Sequence, residues 1–266
     1  MARRKGKKVS LIIASLVFFL FLICLQEGNT FARETIAKLS KFEGEVELVR
    51  EGKTIPVKLN MPILSGDRIQ TKIGLAEVEF LDGSLLKIRP NSDMMVEQGM
   101  KKRKVMGVWT KEYLARMVKL QKGEVFGDIK YRKDLTTEFE SPSVVVAVRG
   151  STLTFGTDPA TGETTINIDV AVVDAYTIDG WTVMRLTTGD IIGVRVDPTT
   201  GVASAYCYAG SVEVTSAGVT VTVSKGEGTT VEPGKPPAPP APAAPPTPPP
   251  PPPPPPPPVP PASPSE

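Results

Sequence analysis

The chain has 266 residues, a formal net charge of +2, no histidine and two cysteines. Without histidine, Ser-His and Cys-His nucleophile pairs and most zinc sites are excluded. No spacing singles out a pair of carboxylates either, so the sequence predicts a protein that is not an enzyme and has no metal or other cofactor.

The first 32 residues are predicted to direct export. Five Lys and Arg residues precede an uncharged apolar run, Val9–Leu25, and a short polar stretch follows it, which is the three-part plan of an export signal. Thr30–Ala32 loosely matches the small-x-small rule, so one expectation is cleavage after Ala32. The other is that the apolar run stays as an anchor in the cytoplasmic membrane. A lipoprotein signal at Cys24 is disfavoured, because no small residue precedes that cysteine. In each case the rest of the chain is expected to be periplasmic or extracellular.

Charge is distributed unevenly over the remainder. Residues 33–133 hold 21 Lys and Arg against 14 Asp and Glu, whereas residues 134–234 hold 4 against 13. One interpretation is that the halves neutralise each other within one domain. The other is that the basic half faces an anionic partner, such as lipid headgroups or a cell-envelope polymer. Nucleic acid is not expected outside the cytoplasm. The basic residues are densest at Lys101, Lys102, Arg103 and Lys104.

Between the two ends, β-branched residues alternate with polar ones over short stretches separated by turn residues. This pattern predicts an all-β protein. The segment 111–122 also fits a helical face, but a strand is favoured because it leads directly into a glycine turn. The predicted strands are 46–51, 54–59, 76–81, 85–90, 124–129, 144–149, 152–157, 165–170, 181–186, 191–196, 211–216 and 219–224.

Several phrases recur along the strands. Gly-x-Val openings begin at Gly44, Gly123 and Gly210, and two segments with an Asp-Pro-x-Thr-Gly turn begin at Thr157 and Val196. Pro sets φ at the first corner of such a turn and Gly accepts a positive φ. We therefore expect hairpins of similar build, arranged either as a solenoid-like β-helix or as a β-sandwich.

The C-terminal segment 235–266 is almost wholly Pro and Ala, with eleven consecutive prolines from Pro248 to Pro258. Such a run has no backbone donors and a fixed φ, so it is predicted to be a disordered tail containing a polyproline II rod. Its role is open: a spacer, a ligand for an aromatic groove, or a tail without a partner. Once Cys24 lies in the export segment, only Cys207 remains, so no intrachain disulfide is expected.

The recurring phrases occur in a family order. GEVELV, SGDRIQT, FLDGS, LQKGEV and VRGS follow one another between residues 44 and 151. In this order they resemble the FecR domain, over about residues 39–155. The sequence departs from the family pattern in having Ser151 in place of Thr and in carrying about 50 extra residues, 157–206, before the closing Gly-x-Val unit. The resemblance implies a β domain over 33–156, continued by 157–234.

The family-motif positions are expected to be structural. Arg149-Gly150 reads as a strand corner, with the guanidinium binding carbonyls or an acid of a neighbouring coil such as Asp67 or Asp82. The alternative is that Arg149 binds an anionic ligand. Turn chemistry explains both acids, and Ca²⁺ is disfavoured because their spacing is irregular. The motif positions are Gly44, Gly66, Asp67, Asp82, Gly83, Gly123, Arg149 and Gly150.

Two functions remain open at this level. FecR-type proteins relay signals through a cytoplasmic segment that acts on a sigma factor, whereas about eight residues precede the apolar run here. We therefore expect a non-catalytic envelope module that binds or scaffolds a cell-wall polymer or another envelope protein. The alternative is a membrane-anchored relay that works through a separate partner, which requires that Val9–Leu25 is not cleaved.

Overall fold

The computed structural model describes residues 34–105, 109–170, 173–180 and 182–243. All regular elements in these ranges are strands, which confirms the predicted all-β class, and 111–122 lies within one of them. In the described part of the chain there is no helix long and apolar enough to cross a membrane; Val9–Leu25 lies outside it. The strands are β1 Thr35–Glu43, β2 Val46–Arg50, β3 Lys53–Pro56, β4 Pro62–Leu64, β5 Asp67–Thr71, β6 Leu75–Phe80, β7 Leu85–Ile88, β8 Asp93–Val105, β9 Trp109–Asp128, β10 Leu135–Glu140, β11 Val144–Val148, β12 Thr152–Asp158, β13 Glu163–Val170, β14 Val173–Thr177, β15 Thr182–Leu186, β16 Ile191–Val196, β17 Ala203–Ala209, β18 Ser211–Ser216, β19 Val219–Ser224, β20 Glu227–Val231 and β21 Ala241–Pro242.

The strands form two hydrogen-bonded ladders. Sheet A runs β1, β6, β7, β9, β12, β13, β16, β17, β20, β21. Sheet B runs β3, β2, β5, β8, β9, β10, β11, β14, β15, β18, β19. The registered pairs are antiparallel except β9 with β10. This differs from a β-helix, whose coils pair in parallel, and matches the sandwich alternative.

One core lies between the sheets. Along most strands every second residue is buried, as in β12, where Leu153 and Phe155 face inward. Phe139 of sheet B and Phe155 of sheet A meet with ring centroids 5.8 Å apart. The valines and isoleucines of both sheets fill the rest of this layer. Alternation of this kind buries one face of each sheet and leaves the other to solvent.

Glycines mark the places where the chain changes sheets. Gly44 and Gly210 join a strand of sheet A to one of sheet B, and Gly150 and Gly189 make the reverse connection. Within β9, Lys122 still pairs in sheet B and Gly123 already pairs in sheet A. The recurring Gly-x-Val phrases of the sequence therefore mark the points where the chain passes from one sheet to the other.

The extra segment 157–206 continues both ladders. The Asp-Pro-x-Thr-Gly turns close the hairpins β12–β13 and β16–β17, both in sheet A. In each, the Gly N–H donates to the Asp carbonyl at 2.8 Å, Gly162 to Asp158 and Gly201 to Asp197. Hairpins β14–β15 and β18–β19 lie in sheet B. The second half thus repeats one unit, a hairpin in each sheet.

The beginning of the proline-rich tail differs from the prediction, because Lys235–Ala243 is ordered on sheet A. Ala238 donates its N–H to the Thr230 carbonyl at 2.9 Å, Ala243 donates to Gly226 at 3.2 Å, and Ala241–Pro242 pairs with β20. Each of these alanines supplies a donor that proline lacks. The eleven-proline run lies outside the described residues.

Candidate functional site

Asp67 stabilises the turn that follows β4 through hydrogen bonds. Its carboxylate is fully buried and accepts hydrogen bonds from Arg50 Nε at 2.9 Å, Arg50 Nη2 at 2.6 Å and the Leu64 N–H at 2.8 Å. The hydrogen bond to Asp67 raises the pKa of the Arg50 guanidinium. Asp190, which follows Gly189 as Asp67 follows Gly66, likewise accepts the Thr187 N–H three residues before it, at 2.6 Å. Asp67 therefore has a structural role, because its three hydrogen bonds join the turn to Arg50.

Asp82 holds a buried arginine that the sequence did not single out. Arg116 on β9 is 2% exposed, and its Nη2 donates to Asp82 Oδ2 at 2.8 Å. The guanidinium lies 3.7 Å from the centroid of the Phe80 ring. Burial lowers the pKa of Arg116, and the Asp82 carboxylate opposes that effect. Arg116 Nε and Nη1 have no hydrogen-bond partner among the described atoms.

The pKa of Asp82 responds to two opposing causes. Burial raises it, while the hydrogen bonds from Arg116 and from the Ser84 N–H lower it, and the net shift is downward. The carboxylate is therefore ionised at neutral pH and matched to Arg116. Because both charges face each other inside the core, this pair stabilises the fold only as a pair.

Arg149 does not contact either acid. Its side chain is exposed, and Nε donates to the Thr136 hydroxyl at 2.9 Å. Gly150 has φ +83°, and a Cβ there would lie 2.8 Å from Tyr131 Cβ. The expected contact with Asp67 or Asp82 is thus replaced by contacts from Arg50 and Arg116, and the turn itself depends on the glycine.

The motif phrases meet around one loop, residues 129–134. The Ser84 hydroxyl of FLDGS accepts the Lys130 N–H at 3.1 Å, and the Ser151 backbone carbonyl of VRGS accepts the Ile129 N–H at 2.9 Å. The glycine of VRGS packs on Tyr131, which is 70% exposed. The two phrases, more than 60 residues apart in sequence, therefore hold the same connection between the sheets.

The remaining motif glycines lie in turns or, like Gly123, where a strand changes sheets. A Cβ on Gly123 would lie 2.3 Å from Ser92 Oγ, which explains why β9 needs glycine where it changes sheets. Ser92 Oγ accepts the Glu124 N–H at 3.0 Å beside it. All five motif glycines have positive φ: Gly44, Gly66, Gly83, Gly123 and Gly150.

The four consecutive basic residues, Lys101 to Lys104, lie on a projecting hairpin. The last five pairs of β8 with β9 run from Lys101 opposite Tyr113 to Val105 opposite Trp109. Sheet neighbours stop earlier, since β5 pairs with β8 only as far as Val96 and β10 pairs with β9 only from Leu114. We call residues 101–105 and 109–113 the basic arm. Within the described residues, it has no third strand on either side.

Lys101 differs from its neighbours because it belongs to the base of the arm. Its Nζ lies 2.5 Å from Glu138 Oε2, and the Tyr113 hydroxyl donates to Glu138 Oε1 at 2.6 Å. The Glu138 side chain is 7% exposed. Lys102 is 71% exposed and pairs with Glu112 at 3.0 Å. The side chains of Arg103 and Lys104 lie outside those described.

A second surface feature is a groove of about 790 Å³ on the outer face of sheet A. Its lining includes Gly193, Gly228 and the ordered part of the tail. The Tyr208 hydroxyl donates to Glu163 at 2.7 Å over Gly193. Burial, with the nearby carboxylate, raises the pKa of Tyr208.

The described residues contain no cluster of three or more His, Cys, Asp or Glu side chains able to hold a metal ion. Cys207 is buried, and its thiol donates to the Ala209 carbonyl at 3.2 Å. Burial raises the pKa of this thiol, which disfavours the reactive thiolate. The most distinctive exposed feature is therefore the basic arm.

Comparison with known proteins finds distant structural similarity. Neither a protein-family model nor a curated protein matches the chain. Two crystal structures from Parabacteroides distasonis ATCC 8503, each provisionally described as an anti-sigma factor, are similar at 14% identity, with TM-scores of 0.39 and 0.38. The likeness covers 59% of this chain and 59% of theirs. A likeness this distant carries no argument about function.

Proposed function

We propose that the chain is a non-catalytic, exported module of the FecR type that binds an anionic component of the cell envelope through the basic arm. The observation that carries the proposal is the arm itself. Residues 101–113 hold five basic residues and one acidic residue, and five of their strand pairs project beyond both neighbouring strands. At about 3.4 Å per residue the arm reaches roughly 17 Å from the sheet.

The chemistry of such an arm suits phosphate-bearing polymers or headgroups. Each Lys or Arg near an anionic surface contributes about 1 kcal/mol at physiological salt. A simpler interpretation is that the lysines protect an open strand edge from pairing with other chains. The two interpretations differ in whether loss of charge weakens binding.

The test uses the full chain and compares two triple variants. Lys102→Gln/Arg103→Gln/Lys104→Gln removes charge from the arm but keeps Lys101, which neutralises the buried Glu138. Binding to phosphatidylglycerol vesicles and to isolated cell-wall polymer is measured at two salt concentrations. We expect affinity for one of the two to fall at least tenfold in this variant, since three charges at about 1 kcal/mol each are lost.

A matched control removes three exposed lysines elsewhere, as Lys53→Gln/Lys58→Gln/Lys225→Gln. Its net charge equals that of the arm variant, and the N-terminal segment is common to both. Equal loss in the two variants, or no loss in either, would refute binding through the arm. The probe that responds identifies the partner as lipid or polymer.

The relay alternative rests on the order of the FecR phrases and on the apolar run Val9–Leu25. It requires that this run remains attached. Intact mass of the protein from the envelope of its native host distinguishes the two. A soluble chain beginning at Arg33 favours the free module, and a full-length chain in the membrane favours the relay.

A further inference from the structure

The outer edges of the two sheets differ in how they are protected. On sheet A, β1 pairs with β6 on one side and with β4 on the other, and β4 begins with Pro62. The far edge of sheet A is β21, which contains Pro242. One edge of sheet B is β3, with Lys53 and Pro56. Lysine and proline are devices that prevent an edge strand from pairing with another chain.

The fourth edge, β19, contains no lysine or proline, and at its C-terminal end the Ser224 N–H donates to Glu227 Oε2 at 2.9 Å. Its sequence is VTVTVS, six residues without charge or proline, and in the described part of the chain it pairs with β18 alone. Valines and threonines alternate strictly along it. Val219, on the same side of the strand as the buried Val223, is 44% exposed. The core face of sheet B is thus incompletely covered at this end.

We propose that β19 pairs antiparallel with β19 of a second copy of this chain, about a two-fold axis. With Val221 opposite the partner's Val221, Thr220 lies opposite the partner's Thr222 and Val219 opposite the partner's Val223. Because side chains alternate with a period of two, this register places valines with valines on the core side and threonines with threonines on the solvent side. No charged residue meets another within the pair.

The other edges of the chain favour this choice of occupant. Pairing of β19 with β3 or β21 of another copy would build an open chain of molecules, and Pro56 and Pro242 each lack a donor for it. A two-fold pair closes after two copies. The inference is independent of the basic arm, which lies elsewhere in sheet B.

The first test is a cross-link in the full chain. Val221→Cys brings two cysteines opposite each other at the axis, where paired Cα atoms are about 4.5–5.5 Å apart, within disulfide range. Thr54→Cys on β3 is the matched control, since it is exposed on the opposite edge of the same sheet. We expect mild oxidation to give covalent dimer at least fivefold faster for Val221→Cys. Equal rates would overturn the proposal.

The second test needs no cysteine. Sedimentation of the otherwise native chain should show a concentration-dependent dimer, and Thr220→Lys/Thr222→Lys should shift it at least tenfold towards monomer. In that variant each new lysine faces a lysine of the partner, while within the chain the lysine introduced at position 222 would face Glu213. An unchanged melting temperature shows that the variant is folded. A monomer at every concentration, or a variant that dimerises as the native chain does, would overturn the proposal.

Discussion

At the residue scale, the VRGS phrase depends on its glycine more than on its arginine. Arg149 is exposed and donates to a neutral hydroxyl, so Arg149→Ala should change the free energy of unfolding by about 1 kcal/mol or less. Gly150→Ala should cost more, roughly 1–3 kcal/mol, because its φ is positive and the new Cβ meets Tyr131. Urea unfolding of both variants measures this, and a larger loss for Arg149→Ala would contradict it.

The buried pair of Asp82 and Arg116 predicts strong non-additivity. Asp82→Asn leaves a buried guanidinium without its counter-charge and should destabilise by about 3–5 kcal/mol. Arg116→Met should cost a similar amount, and the double variant should recover much of the loss. Unfolding free energies of the four proteins give the coupling. Additive losses would mean that the pair does not act as a unit.

The same pair predicts a pH dependence. The folded pKa of Asp82 is lowered from the ordinary 3.8, so its stabilisation is present above that value and is lost as pH falls through the folded pKa. Stability should therefore decrease as the pH falls below about 4, and less steeply in Asp82→Asn. Equal slopes for the two proteins would argue against this role.

Residue roles were only partly predictable from sequence. A turn function for Asp67 could be predicted from its position beside Gly66. The N–H that it accepts belongs to Leu64, only three residues earlier in the chain. The partner of Asp82 is not local: Arg116 lies 34 residues further along, on a strand. A single Arg within an apolar run marked Arg149, but Arg116 also lies in an apolar stretch, residues 114–118. Only three-dimensional burial distinguishes the two.

At the element scale, the first nine residues of the proline-rich tail close the edge of sheet A. A chain ending at Gly234 should lose the strand β21 and expose β20, whereas a chain ending at Ala243 keeps it. We expect the shorter chain to melt several degrees lower and to aggregate more readily. Thermal unfolding of the two compares them directly, and identical melting temperatures would show that β21 is not part of the fold.

Strand β21 could not be predicted from composition alone. Proline content predicts an extended tail from residue 235, but alanines at 238, 241 and 243 supply the donors that allow pairing. Past Ala244 the donors are almost exhausted, since Thr247 is followed by eleven prolines. The alternating strands and the two Asp-Pro-x-Thr-Gly hairpins were predictable because their signals are local. The packing of two sheets on each other was not predictable. Successive hairpins pass from one sheet to the other at single glycines, and a glycine in the sequence does not show which sheet the next strand joins.

At the scale of the whole molecule, the basic residues of the first half include two groups, those paired with acids within the fold and those on the basic arm. Several basic residues are neutralised within the fold, as Arg50 is by Asp67 and Lys101 by Glu138. Residues 101–113, which include the arm, hold five basic residues and one acidic residue. This uneven neutralisation supports the proposal of an anionic envelope partner.

The most direct test of that account is the salt dependence of binding for the native chain and the two triple variants. We predict that the native chain and the Lys53/Lys58/Lys225 variant bind an anionic envelope component alike, with affinity falling as salt rises. The Lys102/Arg103/Lys104 variant should bind at least tenfold more weakly, with a shallower salt slope. Equal binding by all three proteins, with equal slopes, would contradict the account.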